Sequence, residues 1–255
     1  NLNAWHSDQR VVFREGVSYG ATHNLHMLLF AGSMAGQGAV SLLAAKTYAD
    51  QVDGGSFYEA LVLFRYGWFD EILELGEAPE QPIQRGLFQF AQGYAHLRRG
   101  EADMAAVYLG RVMEAAETLP ESTQMRGATA TALLGVSGRI LKGEILRDEG
   151  RLDEAIVVFE DAVELYAPLP YTEPEILNYS PRHWLGAALL EAGRAGEAEE
   201  VYREALVQHP HNGWSIYGLE QALRAQGRGA EADETRAWFR EAWVYTDTLI
   251  RSSRF

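Results

Sequence analysis

Residues 185–210, LGAALLEAGRAGEAEEVYREALVQHP, decide the fold because the chain contains other copies of the same pattern. An apolar helical stretch is followed by a glycine, then by a second stretch with small and aromatic residues at fixed positions. Residues 141–170, LKGEILRDEGRLDEAIVVFEDAVELYAPLP, have the same order. The matching positions are Gly150, Ala155, Phe159 and Ala162 in one copy and Gly193, Ala198, Tyr202 and Ala205 in the other.

In a third copy, EQALRAQGRGAEADETRAWF at 220–239, Gly227 and Ala232 lie 34 residues after Gly193 and Ala198. Weaker traces of the template occur upstream, at 28–50, 60–75 and 93–116. An internal period of 20–50 residues is typical of repeat proteins, in which each unit needs its neighbours to bury its apolar face. The sequence therefore predicts a stack of similar units over most of its length.

The recurring spacing within the template predicts helical hairpins. Gly150, Gly193 and Gly227 fall where a first helix should end in the left-handed conformation that glycine tolerates best. Small side chains five residues later would let two helices approach closely; they are Ala155, Ala198 and Ala232.

With this 34-residue helix–turn–helix period, the sequence resembles the tetratricopeptide repeat family. The resemblance covers nearly the whole chain and is most specific in the last two repeats. It implies an all-α fold, an α-solenoid of about six repeats forming a right-handed superhelix with a concave groove. It also implies a non-enzymatic scaffold that binds a protein or peptide.

We expect one solenoid over 1–255, with a partial first repeat at 1–20. The predicted helix pairs lie near 22–50, 53–76, 86–117, 133–166, 179–208 and 213–247. Two connections are longer than the period requires. They are ETLPESTQMRG at 117–127 and APLPYTEPEILN at 167–178, where three prolines prevent a continuous helix. Such loops either contribute to binding or are tolerated insertions.

The first helix of each pair should face the groove, and its outward stripe can be followed at helical spacing. Aromatic side chains are frequent on this stripe, which is typical of a binding surface. Some repeats of this family use lysine and asparagine on this stripe to bind the acidic C-terminal tails of partner proteins. Both residue types are absent from it here. The predicted partner-binding residues are His23, His26, Phe30, Phe57, Phe64, Phe90, Tyr94, Arg98, Arg147, His183, Trp214, Tyr217 and Arg224.

His23 and His26 suggest an alternative function, binding of a metal or a small ligand together with the groove aromatics. Histidines three residues apart share a helical face and could reach one ion. However, an HxxH spacing alone is a weak signal, and such histidines also pack structurally. The sequence therefore predicts no cofactor and no metal site, with the two histidines kept as the alternative.

The string YGATHNLHML at 19–28 carries a second resemblance. It is similar to an HN-x-H element of some bacterial tetratricopeptide repeat proteins. Those proteins often also have PR-x-x-LG and NGW-x-x-YGL elements. Here these are PRHWLG at 181–186 and NGWSIYGL at 212–219. The resemblance implies a relationship with that group and no particular mechanism.

Composition excludes several classes of function. The chain has 255 residues, a formal net charge of −14 and no cysteine. The negative charge argues against nucleic acid as the main partner, and no apolar run is long enough for membrane insertion. Thiol chemistry is excluded, and neither a phosphate-binding glycine loop nor a nucleophile motif occurs. We therefore expect no enzymatic activity.

Both ends of the predicted stack carry apolar residues in place of a polar cap. An apolar head and tail on one stack favour head-to-tail contact, which makes a filament if it does not close. The alternative is that further repeats cover these faces. The predicted self-association residues are Leu2, Trp5, Phe13, Trp238, Phe239, Trp243, Tyr245 and Phe255.

Overall fold

The computed structural model describes residues 2–7 and 21–254. Residues 2–7 are helical, whereas the rest of the predicted partial repeat at 1–20 lies outside the described residues. The helices that follow are α1 (Ala21–Met34), α2 (Gly38–Gln51), α3 (Ser56–Tyr66), α4 (Phe69–Glu74), α5 (Pro82–Arg98), α6 (Ala102–Thr118), α7 (Ala130–Asp148), α8 (Leu152–Tyr166), α9 (Arg182–Glu191), α10 (Ala195–Gln208), α11 (Gly213–Ala225) and α12 (Gly229–Ala242).

The helices pack in sequence as neighbouring pairs, so the all-α helical-repeat solenoid predicted from the sequence is confirmed. Each first helix packs on its own partner, and the partner packs on the next first helix. First helices also contact one another, with α3 on α5, α5 on α7 and α9 on α11. This stacking gives one continuous core, because no hairpin covers its own apolar face.

The template residues act as the sequence predicted. Gly150, Gly193 and Gly227 end first helices with φ of 78°, 74° and 75°, which is the left-handed region. The small residues that follow, Ala155, Ala198 and Ala232, are fully buried between paired helices. The pattern therefore sets both the end of each first helix and the distance to its partner.

Tyr202 shows why two further glycines are needed. Its ring, from α10, lies between Gly186 of α9 and Gly218 of α11. A Cβ added at either glycine would fall within contact distance of the ring atoms, well inside normal separation. The ring thus joins two successive hairpins through glycine-lined space.

The connection at 117–127 forms an unpredicted β-hairpin. Strand β1 (Gln124–Met125) pairs antiparallel with β2 (Ala128–Thr129). The two residues of the turn, Arg126 and Gly127, have φ of 51° and 85°. Positive φ at both positions is typical of the tight turns that match strand twist.

The array closes on itself. Trp214 Nε1 of α11 donates to the Ser33 carbonyl of α1 over 3.0 Å, and Asp247 accepts hydrogen bonds from the first amides of α2. These amides are those of Gly38 at 2.6 Å and Ala39 at 2.9 Å. A carboxylate is favoured at a helix N-terminus, where amides lack helical partners. The first and last described pairs are therefore joined directly.

Candidate functional site

The inner face of the array is filled by residues of the same chain. The groove loop, residues 167–181, passes across the first helices after α8. Tyr179 from this loop is fully buried and shares a 2.9 Å hydrogen bond with Ser137 of α7. Asn178 Nδ2 donates to Ser33 Oγ of α1 over 3.1 Å. The loop therefore spans the array from its first to its fourth described pair.

Aromatic residues predicted to line an open groove form a closed cluster with this loop. Phe64 and Phe90 are 0% exposed, with ring centres 4.7 Å apart. Tyr179 lies 5.2 Å from Phe64, and Trp184 Nε1 donates to the Tyr94 hydroxyl over 3.1 Å. Because the loop supplies apolar surface, these rings are buried by contacts within the molecule.

A second cluster surrounds Arg65, which the sequence analysis did not single out. Its guanidinium lies 3.7 Å from the centre of the Trp214 ring, and Nη2 contacts His183 Nδ1 at 3.2 Å. His183 Nε2 is also bonded to Ser215 Oγ at 3.0 Å. Burial lowers the pKa of Arg65 to about 9, so it stays protonated at neutral pH. Burial, followed by the charge of Arg65, holds the pKa of His183 well below its usual value.

The returning segment, residues 243–254, follows α12 back along the inner face. Ser253 Oγ donates to the His183 carbonyl over 2.7 Å, and the Tyr202 hydroxyl lies 2.7 Å from Ser253 Oγ. Arg254 places Nη1 2.5 Å from Glu144 Oε1. This segment and the groove loop together occupy the concave side expected to be open.

Glu144 is the charged centre of that contact. Its side chain is 0% exposed and lies between Arg254, Arg147 at 3.3 Å and Arg98 at 3.4 Å. Burial alone would raise the pKa of Glu144, but the three arginines outweigh it and hold the pKa below its usual value. Arg98 and Arg147, predicted to contact a partner, thus stabilise an internal carboxylate.

The predicted groove residues fall into three groups. His26, Phe57, Phe64, Phe90, Tyr94, His183 and Trp214 are buried; Phe30, Arg98, Arg147 and Tyr217 are half-buried; and His23 and Arg224 are exposed. The buried group contacts the protein itself. Their role in holding a partner stays a prediction.

The predicted end residues also differ among themselves. Trp243 is 6% exposed and packs against Gly36 and Gly213, where a Cβ would meet its ring. It is therefore part of the closure between the first and last described pairs. Leu2 and Tyr245 are exposed, Trp5, Trp238 and Phe239 are half-buried, and Phe13 and Phe255 lie outside the described residues.

A cleft lies open beside the groove loop. It has a volume of about 650 Å³ and lies between α1, the loop and the end of α10. Its apolar walls come mainly from Met27, Phe30, Leu169, Pro170, Ile176 and Leu177. This size is within the range of pockets that bind small molecules or inserted side chains. We call it the loop cleft; the only sign of it in the sequence was the proline-rich connection.

Polar groups meet on one side of the loop cleft. The Tyr166 hydroxyl donates to Glu175 Oε2 over 2.6 Å, and His209 Nε2 lies 3.1 Å from Glu175 Oε1. Burial would raise the pKa of Glu175, but the contacts with His209 and Tyr166 keep it below the usual value. The cleft therefore combines an apolar wall with an ionised carboxylate.

The two histidines of the metal alternative have different surroundings. His23 is exposed, whereas His26 is 1% exposed, with ring centres 4.4 Å from Tyr58 and 5.9 Å from Tyr48. Burial, with smaller effects of Arg126 and His23, lowers the pKa of His26 to about 3. Within residues 2–7 and 21–254, no group of three or more His, Asp or Glu side chains is placed to hold a metal ion.

A family model described as tetratricopeptide repeat matches residues 137–168, which comprise most of α7 and all of α8. Fold and match together define a helical-repeat protein with at least one such repeat, a class that is typically non-enzymatic and suggests a protein-interaction scaffold. A search of curated proteins finds no matching sequence. In the described part of the chain, no helix combines the length and apolarity needed to cross a membrane.

Proposed function

We propose that this protein is a non-enzymatic scaffold that binds another protein, and that the loop cleft receives part of that partner. The observation that carries the proposal is an open apolar cleft beside the groove loop in a helical-repeat fold. Tyr171 at its rim is 83% exposed, and an exposed aromatic beside an apolar cleft is typical of interface anchors. The net charge of −14 favours a protein partner over nucleic acid.

Photocrosslinking tests this proposal. A photoreactive phenylalanine analogue at Tyr171 should link covalently to a discrete partner in extracts of the source cells. Leu169→Glu, which puts a charge on the cleft wall, should abolish the link. Val157→Glu on α8, where Val157 is 55% exposed outside the cleft, is the matched control and should leave it intact. A link unaffected by Leu169→Glu would show that the cleft is not the binding site.

We also propose that the chain associates with copies of itself through exposed apolar side chains of the returning segment, among which Tyr245 is one of the predicted end residues. Val244, Tyr245 and Leu249 are 65%, 80% and 97% exposed on the returning segment. Apolar groups concentrated on one exposed segment favour contact with a second copy. Sedimentation velocity over a wide concentration range tests this. A monomer at every concentration would exclude it, and Tyr245→Ser with Leu249→Ser should remove any association seen.

Binding of a small ligand is the second candidate, supported by the polar side of the loop cleft. Glu175, Tyr166 and His209 converge beside apolar walls, as in pockets that orient a ligand through a few polar contacts. A ligand with an apolar body and a cationic group would match this arrangement. For metal binding, titration of the wild-type chain with Zn²⁺ and Cu²⁺, beside His23→Ala and His26→Ala, is decisive. Unchanged binding in both variants would exclude these histidines.

We further infer a relationship to bacterial repeat proteins with HN-x-H, PR-x-x-LG and NGW-x-x-YGL elements. Residues of the second and third elements contact each other, because His183 bonds to Ser215. Trp214 of the third element bonds to the helix that carries the first. Such mutual contacts support a shared structural reason for the three elements, namely closure of the array.

A further inference from the structure

Beyond Trp243, which is buried in the core, residues 244–254 of the returning segment are held mainly by polar contacts. From 244 to 254 it has no helix, and Ser253 is the one residue of this stretch that is buried. Apart from Ile250, which packs half-buried against the core, apolar burial therefore contributes little to the attachment of residues 244–254. Segments with few buried apolar contacts open locally at low free-energy cost. The segment thus has the properties of a bound peptide more than those of a core element.

Its backbone is bound in the way that an extended peptide would be. The Tyr217 hydroxyl donates to the Arg251 carbonyl over 3.4 Å, and Arg65 Nη1 donates to the Arg254 carbonyl over 3.4 Å. Backbone contacts of this kind fix the register of a bound peptide and do not depend on the identity of its side chains. They place Ser253 and Arg254 opposite their own binding groups.

Two side chains of the segment, Ser253 and Arg254, make specific contacts with the rest of the chain. Ser253 is enclosed between the His183 carbonyl and the Tyr202 hydroxyl. Arg254 binds Glu144 at 2.5 Å and approaches Glu191, with Nη2 3.6 Å from Oε2. A guanidinium bound to a buried carboxylate is among the stronger polar contacts in proteins. Arg98 and Arg147 orient Glu144 from the other side.

Space beside the segment is left unfilled. A cavity of about 270 Å³ lies between the returning segment and α9–α11, with Leu190, Tyr217 and Gln221 among its walls. The segment therefore does not fill the surface that it follows, which is formed by α9–α11 together with Glu144 and which we call the track. A peptide with larger side chains on that side could use the remaining volume.

We propose that this track is a peptide-binding site for an extended segment containing Ser-Arg, and that the returning segment occupies it in cis. The arginine of a partner would enter the acidic site formed by Glu144 and Glu191, in place of Arg254. This inference rests on the proposed scaffold function and adds the chemistry of the partner. A basic peptide also suits a chain of net charge −14.

Occupation in cis has a quantitative consequence. A tethered segment competes at an effective concentration of about millimolar, so an external peptide binds weakly until the segment is loosened. Its apparent affinity scales with the fraction of molecules in which the track is free. Weakening the attachment should therefore strengthen binding of an external peptide.

The test uses a fluorescent peptide with the sequence of residues 248–255, TLIRSSRF, and the full chain. Arg254→Ala in the protein empties the acidic site and leaves Glu144 in place. It should raise affinity for the peptide by about tenfold or more relative to wild type. Asp247→Asn loosens the segment at a distance from that site and should act in the same direction, which covers the case that Arg254→Ala fails to fold.

Two altered peptides provide the specificity control. Alanine at the position of Arg254 should weaken binding by about tenfold or more, whereas alanine at the position of the exposed Arg251 should not. Absence of peptide binding to both folded protein variants would overturn the inference, as would equal binding of the two altered peptides. A crosslink retained at Tyr171 in that case would show that the proposed scaffold function stands without it.

Discussion

Glu144 shows how one residue can hold distant parts of this chain together. It lies on α7 and binds arginines from α5, from its own helix and from the returning segment. Removing one partner of a buried ion pair costs more than the pair contributes, because uncompensated charges stay behind. Its effect on stability should therefore exceed that of any surface pair.

Glu144→Gln should lower the free energy of unfolding by about 3–5 kcal/mol at pH 7. Because the pKa of Glu144 is lowered in the folded protein, its contribution is present above the usual value of 4.5 and is lost as the pH falls below it. Urea unfolding should thus show a difference in the free energy of unfolding between wild type and Glu144→Gln that becomes smaller at acidic pH. Glu154→Gln, in the exposed pair with Arg151, should show no comparable effect. Equal effects of the two substitutions would contradict the role of Glu144.

His26 makes stability depend on pH in a different range. Its pKa falls from 6.5 to about 3 on folding, so the unfolded chain takes up the proton first. Stability should therefore fall as the pH drops below 6.5, by about 1.4 kcal/mol per pH unit for this residue. Between pH 7.5 and 5.5, the free energy of unfolding should fall by about 1.4 kcal/mol less in His26→Phe than in the wild type. Val157→Ala, at an exposed position on α8, should follow the wild-type curve, and a matching loss in His26→Phe would contradict the assignment.

At the scale of the helical elements, close packing through glycine is the main determinant. Tyr202 of α10 fits between α9 and α11 because Gly186 and Gly218 have no side chain. Overfilling a packed core typically costs 1–3 kcal/mol, since neighbouring helices must move apart.

Gly218→Ala should therefore destabilise the protein by about 1–3 kcal/mol in thermal or urea unfolding. Gly110→Ala on α6 is the matched control, because nothing lies within 4 Å of a Cβ placed there. That change should stabilise the protein by about 0.5–1 kcal/mol, since alanine favours a helix more than glycine does. The same sign for both would contradict the packing of Tyr202.

The helical pairs could be predicted because their determinants repeat along the sequence. Gly193 and Ala198 recur at fixed spacing, so the end of a helix and its packing distance are visible without coordinates. The groove loop and the returning segment have no periodicity, and their contacts join residues far apart in the sequence, as with Tyr179 and Ser137 or Arg254 and Glu144. Tyr179 and Arg254 therefore gave no local signal of where they lie. Arg65 was missed because a lone arginine within an apolar helical pattern is indistinguishable from a surface charge.

At the scale of the whole molecule, the array is closed, and its concave side is filled from within. Trp243 packs near Gly36 and Gly213, and Thr246 Oγ1 donates to the Gly36 carbonyl over 2.8 Å. The apolar surface predicted for head-to-tail contact is thus partly used inside one molecule. In the function proposed above, partner binding uses the loop cleft, or the site freed by release of the returning segment.

Intramolecular crosslinking tests closure most directly. The chain has no cysteine, so Ala39→Cys with Asp247→Cys introduces one defined pair at the contact between α2 and the returning segment. Oxidation, or a short thiol crosslinker, should link the pair within the monomer at high yield, while Ala39→Cys with Val157→Cys on α8 should not link. A pair that reacts only between molecules, or not at all with either reagent, would contradict the closed array.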